Sequence, residues 1–331
     1  MKTVPIIIPG VLVTALVALT GCAGGGSSAE VPAGTEPAIR ITNCGRTLDI
    51  AEPPRQALAM EQNATEILLT LGLADRMIGT SYQTDPVLPE LADDYAKVPV
   101  LAKLYPNREA VLAAEPDLVY STFTSAYGPD AAGPRTDLAT VGVPAYLSRF
   151  ACEEPAAGEP VVTFDGIFAE VMEVATIFAV AERGEQVAAE QRARLTAATA
   201  QVPADTDLLW YYSGTATPYV AGSGGLPAAI STHLGVTNVY SDAAQTWPAG
   251  SWEEIADRNP DVIVLADLTR GGDGDTAQSK IDYLRSNPTT AQLDAVQANR
   301  FVTVPGSSMD PSIRSVTAVE AVAAGLAELI R

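Results

Sequence analysis

Residues 107–119 read NREAVLAAEPDLV, and residues 251–263 read SWEEIADRNPDVI. Each opens on a residue that caps helices well (Asn107, Ser251), with a glutamate two positions on (Glu109, Glu253) and a β-branched residue at the fourth helical position (Val111, Ile255). Pro116-Asp117 and Pro260-Asp261 then stop the helix and lead into an apolar run. A cap, a first-turn acid, a proline stop and a buried strand make a helix-to-strand unit. Two such units 144 residues apart point to two similar α/β lobes, each presenting an acid at a helix start. Two unrelated α/β units sharing a common local grammar fit the same match, so the pair alone leaves the repeat open.

The strands around these units extend the pattern. In the first block apolar runs fall at Ala57–Met60, Met77–Ser81, Val98–Leu101, Leu118–Ser121 and Ala145–Leu147. Helical patterns separate several of them, the first capped by Asn63 with Glu66 completing a capping box and Gly72 ending it. The second block repeats the alternation with strands at Leu208–Tyr212, Asn238–Tyr240, Val262–Ala266 and Phe301–Pro305 and a C-terminal helix over Thr317–Ile330. Such alternation predicts α/β lobes with mostly parallel sheets. Between the blocks lie an apolar helix, Phe164–Val180, and a polar one over residues 185–202, whose thin stripe (Val187, Leu195, Val202) fits a connector or a surface helix.

The N-terminus reads as an export signal. Lys2 precedes an apolar run from Val4 to Leu19, too short and too interrupted by Pro and Gly to span a membrane well, and Leu19-Thr20-Gly21-Cys22 follows. Leu-x-Gly-Cys resembles the lipobox of bacterial lipoproteins, which implies cleavage before Cys22, lipidation there and a flexible tether over Ala23–Ala29. About 310 residues then remain, enough for two lobes with real cores. The net charge of −20, one unit more negative without Lys2, argues against nucleic acid and anionic lipid headgroups as partners. With Cys22 lipidated, Cys44 and Cys152 make an even pair in an oxidising compartment, without metal-site or redox spacing, and a structural disulfide is expected.

No catalytic constellation emerges. The single histidine, His233, has no Gly-x-Ser-x-Gly partner and cannot alone build a metal centre. The Gly-rich stretch 221–225 lacks the Gly-Lys-Ser/Thr of a phosphate loop, and 271–275 fits no calcium loop and reads as a solvated turn. Aromatic and polar residues instead cluster just after strands: Tyr82, Lys103, Tyr105, Phe123, Tyr127, Arg149, Tyr212, Trp247 and Arg314, with Gln62 and Asn63 at the first helix start. Ligands of open α/β sheets lie outside the carboxyl ends of the strands, so two facing rims of this kind predict an aromatic-lined cleft with a few cations.

Specific segments then match a family. NATEILLTLGL at 63–73, PVLPEL at 86–91, VPVLAKLYPNREAVLAAEPDLV at 98–119, TPYVAG at 217–222, LGVTNVY at 234–240 and SWEEIADRNPDVIV at 251–264 resemble the substrate-binding proteins of ABC importers for ferric siderophores, haem and cobalamin. The resemblance implies two Rossmann-like lobes, residues 40–180 and 204–331, joined by one long helix within 181–203, after a signal peptide (1–21) and a lipidated tether (22–39). It implies a monomeric, non-enzymatic carrier, lipid-anchored on the outer face of the cell membrane. Glu109 and Glu253 would dock on an ABC permease dimer, and the cleft would take a small-molecule metal chelate without a cofactor or a directly bound metal. The expected cleft set is Gln62, Asn63, Tyr82, Lys103, Tyr105, Tyr127, Arg149, Tyr212, Trp247 and Arg314. Few cations among many aromatics favour a ferric hydroxamate siderophore, with haem, a corrinoid or a ligand-sensing role as alternatives.

Overall fold

A computed structural model describes residues 39–152, 161–199, 203 and 205–329; the export signal, Cys22 and the tether lie outside them. A short antiparallel hairpin, β1 (Ile39–Asn43) with β2 (Arg46–Ile50), opens the described chain. The N-terminal lobe follows with β3 (Ala57–Ala59), β4 (Met77–Ser81), β5 (Val100–Ala102), β6 (Leu118–Ser121) and β7 (Ala145–Leu147), paired in the order β5-β4-β3-β6-β7, all parallel. The C-terminal lobe contains β8 (Asp207–Ser213), β9 (Tyr219–Val220), β10 (Thr237–Asn238), β11 (Val262–Asp267) and β12 (Phe301–Pro305). Its parallel order is β10-β8-β11-β12, with β9 antiparallel to β8.

Parallel sheets are covered on both faces, so their strands read as nearly continuous apolar runs rather than alternating ones. Both lobes follow this. Ala57, Leu58 and Ala59 of β3 and Val262 to Ala266 of β11 are fully buried, and each sheet carries one apolar core per face. The strand order reverses between β3 and β6 in one lobe and between β8 and β11 in the other. Chains diverge at such switch points and leave a crevice beyond the carboxyl ends of the strands.

Helix Ala181–Ala197 runs from one lobe to the other. Near its start the Arg183 guanidinium donates to Thr70 O (3.0 and 2.9 Å), and near its end Arg194 binds Glu320 (3.0 and 2.6 Å). It ends at Ala197 rather than within 200–203, and residues 200–202 lie outside the described ones. Helix Phe164–Ile177 lies against it, giving Ile167 and Phe168 to the C-terminal core and Val171, Val174 and Ile177 to the N-terminal core. Gly184 permits this contact, because a Cβ there would stand 2.5 Å from the Ala175 Cβ.

The two lobes also meet through polar groups. Arg314 forms a buried bidentate pair with Glu66 (2.6 and 2.5 Å) and donates to Pro86 O at 2.6 Å, Ser307 N donates to Asp85 Oδ2 at 2.8 Å, and Thr269 donates to Thr84 O. The disulfide Cys44–Cys152, with Cα atoms 5.2 Å apart, ties the opening hairpin to the end of the N-terminal lobe.

Two local expectations are corrected here. Helix Gln62–Thr70 is capped by Glu61, which accepts from Ala64 N at 3.2 Å, not by Asn63. The capping box with Glu66 does not form, because Glu66 is taken by Arg314, Gln62 and Leu88 N.

Candidate functional site

The crevice between the lobes holds a solvent-open cavity of about 190 Å³. The N-terminal lobe lines it with Glu61, Gln62 and Asn63 after β3, Tyr82 and Thr84 after β4, Tyr105 after β5, and Phe123 and Ser125 after β6. From the C-terminal lobe come Tyr212 at the end of β8, Leu268 and Arg270 after β11, and Gly306, Ser307 and Asp310 after β12. A second cavity of about 430 Å³, holding Phe150, Leu226, Trp247 and Met309, shares Phe123 and Asp310 with the first. The two adjoin at these residues, with aromatic rings among a mostly polar and small lining.

The walls of this groove are preset. Tyr82 holds a left-handed backbone (φ 46°), which costs a non-glycine residue of order 1–3 kcal/mol and persists only where surroundings impose it. That twist turns its ring edge-on to Tyr105 (centroids 4.7 Å apart, planes at 88°). Opposite, Tyr212 stacks on Trp247 at 4.6 Å, and the Arg270 guanidinium lies 5.3 Å from the Tyr212 ring centre. Burial pushes the phenols of Tyr105 and Tyr212 up, so both stay protonated donors.

The floor is acidic. Glu61 is buried, yet its carboxylate accepts from Ala64 N, from Thr122 N (2.8 Å) and Oγ1 (3.0 Å), and from Ser121 Oγ (2.6 Å). Burial raises its pKa and these four bonds offset part of the rise. Asp310, half-buried, is pushed up to about 7 by burial, against the pull of Arg270 and with the push of Glu61. Arg270 itself is held by Asp275 at 2.9 Å, and the buried Lys280 ammonium donates to Asp275 O and Ala266 O, pinning that loop. Asn63 Oδ1 and Ser307 Oγ are buried without a protein partner.

Of the ten residues the sequence put in the cleft, Gln62, Asn63, Tyr82, Tyr105 and Tyr212 line the first cavity and Trp247 the adjoining one. Four stand elsewhere. Arg314 is spent on the buried pair with Glu66, and Arg149 turns onto helix Phe164–Ile177 to meet Glu173 at 3.3 Å. Tyr127 is buried in the N-terminal core, its hydroxyl 2.6 Å from Tyr146 O, and Lys103 is exposed and lines neither cavity. The strand-end rule that found the tyrosines also covers Arg270 and Asp310, which the sequence reading did not name. Glu109 and Glu253 are both exposed at helix starts, on different lobes.

Two parallel α/β lobes with an aromatic-lined groove at their strand ends make a ligand-binding crevice. The periplasmic binding protein family model matches residues 58–307, and the chain belongs to that extracytoplasmic family. It is 26% identical, over 70% of its length and 77% of the relative's, to the vitamin B12-binding protein of Vibrio campbellii. Among solved structures, a periplasmic binding protein from Veillonella parvula superposes with a TM-score of 0.77 at 27% identity, covering 89% of this chain and 99% of that one. An ABC-type Fe3+-hydroxamate transport protein from Saccharomonospora viridis gives 0.72 at 21% identity, covering 87% and 98%, and shows the same fold. No helix among the described residues is long and apolar enough to cross a membrane.

Proposed function

We propose that the protein captures a bulky, near-neutral metal chelate in the interlobe groove and delivers it to an ABC importer. The observation that carries this is the groove itself: Tyr82, Tyr105, Phe123, Tyr212 and Trp247 offer flat apolar faces, with Arg270 alone supplying positive charge among the described lining residues. Stacking and apolar burial suit a large macrocycle or wrapped chelate, because such faces contribute area without demanding fixed hydrogen bonds. A corrinoid is the first candidate, supported by the B12-binding relative and by a floor rich in hydrogen-bond acceptors, which suits the primary amides on a corrinoid rim. A ferric hydroxamate, the sequence's own expectation, is the second reading and is favoured by the fold match to the hydroxamate transport protein.

In this reading Cys22 carries the anchor, and Glu109 and Glu253 contact the permease. Two separated acids fix the orientation of a docked protein on a basic partner, whereas they touch nothing in the groove. The test is a split between two assays on the Glu109→Ala/Glu253→Ala variant. Cellular uptake of cyanocobalamin or the ferric chelate should fall at least tenfold while the dissociation constant stays within a factor of two. A fall in affinity that tracks the uptake loss would overturn the docking assignment.

A further inference from the structure

We propose that the groove sorts chelates by charge, accepting neutral or cationic ones edged with N–H donors and rejecting anionic ones. The inference deepens the carrier reading above and rests on it. Three polar groups on residues lining the groove have no protein partner. Asn63 and Ser307 line the first cavity, and their buried Oδ1 and Oγ find no partner in the protein. Buried polar atoms of this kind are satisfied by water or by a bound ligand that reaches them. Asp310 lines both cavities, and no hydrogen bond from the described residues reaches its carboxyl group.

Charge runs the same way. Glu61 and Asp310 line the groove against one guanidinium, Arg270, which is already engaged by Asp275 and by the Tyr212 face. Above about pH 7, where Asp310 is ionised, a carboxylate or catecholate arriving here meets two acids and a cation whose charge is partly answered, and it brings no donor to Asn63 Oδ1. An amide or ammonium edge supplies that donor. Desolvated groups left unpaired are what make such a site discriminate strongly.

The experiment is a charge-graded binding panel at pH 8, where Asp310 is ionised, on the whole chain and on Asp310→Asn. It pairs cyanocobalamin with its monocarboxylic acids, in which one rim amide has become a carboxylate. It also pairs cationic ferrioxamine B with its neutral N-acetyl form, and includes anionic ferric enterobactin. In the series that binds, the more positive partner should bind more tightly, with at least one corrinoid monoacid losing tenfold or more. Asp310→Asn should narrow the gap between charge partners, recovering most of that loss relative to the neutral member. Equal binding across charge, or an Asp310→Asn effect that is the same for every member, overturns the charge rule and leaves the carrier reading standing. Absence of binding by every member overturns the carrier reading and the charge rule together.

Discussion

Breaking the Glu66–Arg314 pair should loosen the whole groove, because it is the most deeply buried ion pair between the lobes among the described residues. The side chains are 0% and 5% exposed, and the guanidinium fork meets both carboxylate oxygens. Removing one partner of such a pair costs about 3–5 kcal/mol, since the other charge is left buried and uncompensated. Arg314→Met strands Glu66 and leaves Pro86 O without its donor. Glu66→Gln strands the guanidinium while keeping an acceptor for Gln62 Nε2 and Leu88 N, which now donate to Glu66 Oε1 at 2.8 and 3.1 Å. The double variant removes both charges, so it should cost no more than the worse single, giving a coupling of at least about 3 kcal/mol, the size of the smaller single effect. Urea denaturation of the four proteins measures the cycle. Spin labels at the exposed Leu104 and Tyr219, one on each lobe, report the opening, and the single variants should broaden that distance distribution. Additive single effects, or singles costing under about 1 kcal/mol, would refute the strut.

Two further outcomes follow from the same structure. Asp310 is held neutral up to about pH 7 against an ordinary carboxyl value near 3.8, so the folded state binds the extra proton and stability falls as pH rises from about 4 to 7. Asp310→Asn should therefore stabilise the ligand-free protein at pH 8, by about 1–2 kcal/mol once partial exposure is discounted, and not at pH 4; a gain that is equal at both would contradict the assignment. Replacing Cys44 and Cys152 by serine should cost about 2–4 kcal/mol, less than a loop of this length gives by chain entropy, because the Asn43 side chain still binds Leu147 N and O (3.0 and 2.8 Å) and keeps the ends together. An unchanged urea midpoint would show that the bridge adds nothing beyond those bonds.

The fold was legible because parallel strands advertise themselves. Met77–Ser81, Leu118–Ser121, Ala145–Leu147 and Phe301–Pro305 stand where their apolar runs placed them. The hairpin β1–β2 was missed: its short strands, IRITN and RTLDI, are half exposed and carry little apolar weight. Residues whose partners lie far along the chain were misread. Local rules favour Asn63 as the cap, whereas Glu61 takes that place with Ser121 and Thr122, 60 and 61 residues away, sharing its carboxylate. Arg314 follows the last strand as a rim residue should, but its partner Glu66 is 248 residues distant. Aromatic rim positions survived because strand ends face the crevice whatever packs behind them. The charges did not, because burial and pairing decide where a charged side chain turns.

The central claim, a bulky chelate held by aromatic walls between the lobes, is tested most directly by calorimetric titration with cyanocobalamin and with ferric ferrioxamine B. The wild-type chain and a Tyr82→Ser/Tyr212→Ser variant would be compared, with the thermal midpoint of each recorded. The account expects one ligand per chain at micromolar affinity or tighter, and a loss of at least thirtyfold in the variant at a near-wild-type midpoint. Full affinity in that variant, or no heat and no competition with either chelate, would contradict it.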